Sequence, residues 1–190
     1  MVKSILKRSL VLLLLWLPGI PAQADDYTDT IRVFRNAGQT KTFFGNSYGY
    51  AVFPTIGKGG IGIGGAHGSG RVYAQGNYTG DTKMTQITVG AQLGGQAYSQ
   101  MIFFQNERAY KDFTSGNFEF GAQATAVAIT VGASAQTTTT GTSAGATGTR
   151  KQGAAAGLYH GGMAVFTIAK GGLMYEASIG GQKFSYTPKK

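Results

Sequence analysis

Between Gln86 and Gln100 the side chains follow a period of two, that of a β-strand. Ile87, Val89, Ala91 and Leu93 share one parity, whereas Gln86, Thr88, Gln92, Gln96 and Gln100 share the other. A helix would mix the two sets on every face, so the stretch predicts a strand with one dry face and one wet face. A second stretch, Phe118 to Val131, places Phe118, Phe120, Ala122, Ala124, Ala126 and Ala128 together, a face of small side chains that another layer could approach closely. Alanine is a poor strand former, so tertiary packing must hold that segment in place.

Helical spacing is confined to two short segments. Tyr27 to about Ala37 brings Tyr27, Ile31 and Phe34 together at steps of four and three, and Gly38 suggests its end. Asn106 followed by Glu107, Ala109, Tyr110 and Phe113 reads as a capped helix closed by Gly116. Gly45, Asn46 and Gly49 break regularity and introduce the sheet. The expected fold is mainly β (α+β): a strongly curved antiparallel sheet or partly open β-barrel, with an N-terminal helix and one short internal helix.

The chain also resembles itself. Ala51-Val52-Phe53-Pro54-Thr55-Ile56-Gly57-Lys58-Gly59-Gly60-Ile61 matches Ala164-Val165-Phe166-Thr167-Ile168-Ala169-Lys170-Gly171-Gly172-Leu173 if Pro54 counts as an insertion. Each copy reads as a strand, a Lys-Gly-Gly turn and a strand, since paired glycines supply the positive φ of tight hairpins. Lys58 and Lys170 would then stand at equivalent tips. Residues 137–149 are a run of threonine, glycine, alanine and serine, too polar to bury itself and expected as a flexible loop.

Residues 1–24 have the order of a secretory leader: Lys3, Lys7 and Arg8, then the apolar run from Leu10 to Leu17, then Ala22-Gln23-Ala24 before Asp25. The run is shorter than the roughly 20 residues that span a bilayer. The chain has no cysteine, which removes disulfides, thiol catalysis and a lipidated N-terminal cysteine together. Residues 25–190 are long enough for one domain with its own core. The leader holds three of the 17 basic residues and none of the 8 acids, so its removal lowers the net charge from +9 to +6. An exported basic protein meets anionic lipid or acidic polysaccharide, not nucleic acid.

Chemistry that would mark an enzyme is missing. Gly60, Gly62 and Gly65 have the G-x-G-x-x-G spacing of a pyrophosphate loop, but Arg71-Val72-Tyr73 continues as strand where that loop needs a helix. These glycines are expected to allow bending and close backbone contact. His67 and His160 are the only histidines, and neither has a carboxylate beside it in sequence. No nucleophile with a base and no clustered metal ligands can be assembled from neighbouring positions, so neither a cofactor nor a metal is expected.

Four blocks, taken in order, resemble the SYLF domain in its exported bacterial branch. They are Tyr50-Ala51-Val52-Phe53-Pro54 with Lys58-Gly59-Gly60 and residues 62–70; Gly94-Gly95-Gln96 with Met101-Ile102-Phe103-Phe104; residues 109–113 with 118–128; and Gly172-Leu173-Met174-Tyr175-Glu176-Ala177 with Gly181-Gln182-Lys183-Phe184. The resemblance implies a non-enzymatic lipid-binding module. Eukaryotic members engage phosphoinositides through a basic surface and an N-terminal amphipathic helix, and some bind actin, which an exported protein would not meet. The translation for this chain is peripheral binding to anionic phospholipid or glycolipid of the cell envelope, in the periplasm or secreted. Arg32, Arg35, Lys41, Lys58, Arg71 and Lys170 are the candidate lipid contacts, and Phe43 and Phe44 the candidate inserting groups. The alternative is a structural or assembly protein that self-associates through exposed sheet edges. An integral barrel is disfavoured because no series of strands reads as a continuous apolar outer band.

Overall fold

A computed structural model describes residues 25–121, 129–130, 159–179 and 181–190. The leader over 1–24, the loop over 137–149 and the alanines from Ala122 to Ala128 lie outside the described residues. In chain order the elements are α1 (Asp26–Asn36), α2 (Lys41–Asn46), β1 (Gly49–Ala74), β2 (Asn77–Phe104), α3 (Glu107–Phe113), β3 (Phe118–Phe120), β4 (Ile129–Thr130), β5 (Met163–Ile179) and β6 (Gln182–Pro188).

Both expected helices form, and each begins where a side chain accepts from a free backbone amide. Asp25 accepts from the Tyr27 N–H at the start of α1, and Asn106 accepts from the Ala109 N–H at the start of α3. Helix α2 occupies a stretch that reads as breakers. It is short, and its Phe43 is buried, so tertiary packing rather than helix propensity holds it.

The long strands β1 and β2 form one antiparallel hairpin from Gly49 opposite Phe104 to Ala74 opposite Asn77. Gln75 and Gly76 close it, both at positive φ (50° and 82°), which matches the right-handed twist of the strands on either side. On the other edge of β2, β5 pairs with residues 89–104 and β6 with residues 80–86. Short β3 and β4 extend that side, β4 in parallel with β5, and the sheet is otherwise antiparallel and not closed.

The two Lys-Gly-Gly segments are not hairpin tips. Both run through the middle of continuous strands, β1 and β5, which flank β2 in the same direction. Lys58 lies opposite Gln96, whereas Gln96 on its other side meets Gly172, two residues beyond Lys170. The glycines are used instead for a sharp bend. Gly62 has φ 70°, and a Cβ on Gly60 would collide with the Gly64 Cα and the Ile63 carbonyl. On β2 the partner irregularity spans Gly90 to Gly94, so both strands fold over at the same level.

The bend brings the halves of the hairpin face to face. Gln86 and Gln100 lie 14 positions apart on β2, about 46 Å if the strand were straight. Yet Gln182, in register with Gln86, exchanges two amide hydrogen bonds with Gln100 at 3.2 and 3.3 Å. Inside the fold Phe53, Ile56, Met84, Ile102, Phe104 and Phe184 form the main core, closed by Ala109 and Phe113 of α3. Gly68 and Gly70 leave room there, since a Cβ on either would press into Ile56 or Phe53 at 2.6 to 2.7 Å. On the outer face Phe34 of α1 and Phe43 of α2 pack on Val52, Met101, Phe103, Ala164 and Phe166.

Candidate functional site

Helices α1 and α2 cover the outer face of the sheet, and five of the six expected cationic contacts lie on or against them. Arg32 and Arg35 are on α1 and Lys41 opens α2. Arg71 reaches Asp25 at the start of α1, 2.6 Å away, and its guanidinium lies 4.1 Å from the Tyr27 ring centroid. Burial would pull the Arg71 pKa down, but the hydrogen bond and charge of Asp25 leave it raised overall. Lys170 borders a groove of about 200 Å³ between α1 and the sheet, lined also by Asp26, Asp29, Val33, Ser99 and Ile168, and it donates to Thr55 at 2.8 Å. The sixth, Lys58, is half-buried, two residues beyond the core residue Ile56 and on its side of β1.

These cations do not make one unbroken positive face, because acids are interleaved with them. Arg32 pairs with Asp29 at 2.8 Å and Arg71 with Asp25, whereas Arg35 lies 5.0 Å over the Phe44 ring. Exposed pairs of this kind add little stability, but they cancel charge that would otherwise attract an anionic surface.

Phe43 is unsuited to insertion in this fold. It is 2% exposed, with its ring 4.9 Å from Phe166 and 5.4 Å from Phe103. Phe44 is half-buried against Phe103 and Tyr50. Both belong to the packing that seats the helices.

A different apolar surface is exposed at the bend. Ile61, Ile63, Ile87, Val89 and Leu93 are 57 to 79% exposed, whereas the alternate positions Gln86, Thr88 and Gln92 are buried. The alternation predicts the strand and its two faces, but the wet set points inward and the dry set outward. Leu93 stands opposite Ile61 and Val89 opposite Ile63, so the five side chains sit together across the two strands. On β2 they share the parity of Met101 and Phe103, which the helices cover. A single face of β2 is therefore capped by α1 and α2 at one end and bare at the other.

At the bend the inward side chains of Thr88 and Gln92 are hydrogen-bonded. Gln92 accepts from the Thr88 hydroxyl at 2.7 Å and donates to the Gly62 and Thr88 carbonyls at 3.1 and 3.0 Å. A Cβ on Gly64 would collide with the Gln92 amide and approach the Thr88 hydroxyl at 2.8 Å, so glycine makes the space that this plug fills. Periodicity reveals the two faces; only the bend decides which of them turns inward.

Among the described residues no group of three or more His, Asp or Glu side chains is placed to hold a metal ion, and no helix is long and apolar enough to cross a membrane. The second statement leaves strands aside. A family model described as Ysc84, Las17-binding protein actin regulator, matches residues 85–186. That segment takes in most of β2, all of α3 and β5 and most of β6, and leaves out α1, α2 and β1. The chain is also similar to beta cell expansion factor A of Aeromonas veronii, 28% identical over 160 residues, covering 83% of this chain and 52% of that protein. It thus spans about half the length of that curated relative. No solved structure matches the chain.

Proposed function

Because the chain belongs to the Ysc84 (SYLF) family, we propose that it is a non-enzymatic protein that binds peripherally to anionic phospholipid or glycolipid, as an exported component of the cell envelope. One observation carries this reading: the helices that bear Arg35 and Lys41 and the uncovered aliphatic side chains occupy the same side of the sheet. Arg35, Lys41 and Lys170 are the principal electrostatic contacts, with Arg32 and Arg71 contributing less because each already faces a carboxylate. Each cation near an anionic surface contributes about 1 kcal/mol, so several must act together. The actin connection in the family description is not carried over, since an exported chain would not meet actin.

Co-sedimentation of the chain with phosphatidylcholine vesicles, with and without phosphatidylglycerol, tests the proposal. Sedimentation with the anionic vesicles is expected, weakening as salt rises. Equal failure with both vesicle types refutes it. A second reading, assembly through a sheet edge, draws on β1, which over its 26 residues pairs with β2 alone among the described residues. A particle size that grows with protein concentration in light scattering would favour it.

A further inference from the structure

We infer that the bent end of the β1–β2 hairpin is the membrane-inserting element, with Ile61, Ile63, Ile87, Val89 and Leu93 entering the acyl region of a lipid leaflet. The inference rests on the lipid-surface reading and adds where, and by which side chains, the leaflet is entered.

The first ground is the reversal of burial. Fully burying an aliphatic side chain stabilises by roughly 1.5 to 3 kcal/mol, and burying an amide costs free energy unless it is hydrogen-bonded. A strand facing water would turn Ile87, Val89 and Leu93 inward and Gln86, Thr88 and Gln92 outward; here each set does the opposite. Apolar outside and polar inside is the pattern of strands that contact lipid.

The second is extent. The register places Leu173, Tyr175, Ala177 and Ile179 of β5 opposite Gly95, Leu93, Ala91 and Val89. Strand β5 thus lies beside β2 along its exposed apolar row from Val89 to Leu93.

The third concerns the backbone. Polar main-chain groups cannot enter hydrocarbon unpaired, and a bulge leaves several without ladder partners. The Gln92 amide donates from inside the bend to the Gly62 carbonyl, which lies in the register irregularity, and to the Thr88 carbonyl, so neither needs water from the membrane side.

Charge selects the occupant. Along the outer face of β2 an uncharged row runs from Thr85, beyond which stands Lys83, to Ala97, beside the irregularity that carries Lys170. No acid occupies that face between them, so cations would lie at headgroup level on both sides. A second copy fits less well. The row wraps the outside of a bend, so a rigid partner would touch only its crest, short of the roughly 800 Å² per partner typical of stable complexes. A fluid leaflet can close around it.

The absence of cysteine from the chain makes the test direct. Ile63→Cys and Ser69→Cys, both on the exposed outer face of β1, are each labelled with the environment-sensitive fluorophore NBD. The labelled chains are mixed with phosphatidylcholine–phosphatidylglycerol vesicles, with or without doxyl-labelled acyl chains. At position 63 the emission is expected to shift to the blue, rise several-fold and be quenched by the doxyl group; at position 69, opposite Lys83 at headgroup level, the change is expected to be much smaller and the doxyl quenching weak. An Ile63→Ser/Leu93→Ser variant should lose at least about tenfold in vesicle partitioning while melting as the unsubstituted chain does. If the chain sediments with vesicles but position 63 stays aqueous, insertion at the bend is overturned and the surface reading stands. If the unsubstituted chain sediments with neither vesicle type, both fall. A fluorescence change that needs no vesicles and grows with protein concentration assigns the face to a second copy and overturns insertion.

Discussion

Gly60 and Gly64 meet across the bend with no space for a methyl group, and the atoms in the way are backbone. A side-chain neighbour could rotate aside, whereas the Ile63 carbonyl and the Gly64 Cα can move only if the bend opens. Gly60→Ala is therefore expected to cost about 1 to 3 kcal/mol or more, read as a lowered urea midpoint. Gly57→Ala is the matched control: it lies three residues earlier in the same strand, has no atom within 4 Å of its Cβ position, and should change stability by less than about 0.5 kcal/mol. Gln92 is a different kind of dependency. Gln92→Leu removes the partner of the Thr88 hydroxyl and of two carbonyls at once. Each buried group left unpaired costs about 1 to 3 kcal/mol, so this change should destabilise despite placing a more apolar side chain indoors.

At the scale of elements, α1 and α2 are held by aromatic packing more than by charge. Phe43→Ala removes a ring surrounded by Phe103, Phe166 and Tyr159 and should cost about 3 to 5 kcal/mol, whereas Arg32→Gln, which breaks an exposed pair, should cost under about 1 kcal/mol. Calorimetric melting separates the two. Tyrosines in the same region predict a loss at alkaline pH. Burial raises the phenols of Tyr27 and Tyr50 above 10.0, opposed at Tyr27 by Arg71 and reinforced at Tyr50 by Tyr73. A folded pKa above the unfolded one means that the folded state holds its proton longer. Stability is thus undiminished below pH 10.0 and falls as pH rises from there through the higher folded values. Tyr50→Phe should flatten that fall, as followed by melts across this range. The helices α1 and α3 were legible because each carries a capping side chain and an apolar stripe of helical spacing. Helix α2 was not, because Gly45 and Asn46 oppose a helix locally and only the burial of Phe43 overrides them. Lys-Gly-Gly reads locally as a turn, yet pairing with β2 on both sides keeps it extended in β1 and β5.

Across the whole molecule, stability and surface chemistry are carried by opposite ends of the same sheet. The end under α1 and α2 buries Met101, Phe103 and Phe166 completely, while the bent end leaves Ile61, Ile63 and Leu93 in the open. Side-chain alternation cannot tell these ends apart, since both show apolar groups on one parity; what distinguishes them is whether a helix lies on top, and that is settled by contacts distant in sequence. The consequence is a separation that denaturation can measure. Met101→Ala should cost about 2 to 5 kcal/mol, because the deleted atoms leave a cavity beneath the helices. Ile61→Thr together with Val89→Thr should shift stability by less than about 0.5 kcal/mol at each site, because solvent already surrounds both side chains and threonine keeps the β-branched shape suited to a strand. Urea titrations followed by tyrosine fluorescence would report both. A large loss from the threonine pair would mean that the aliphatic face is buried in solution, contrary to the exposure on which its role at a membrane depends.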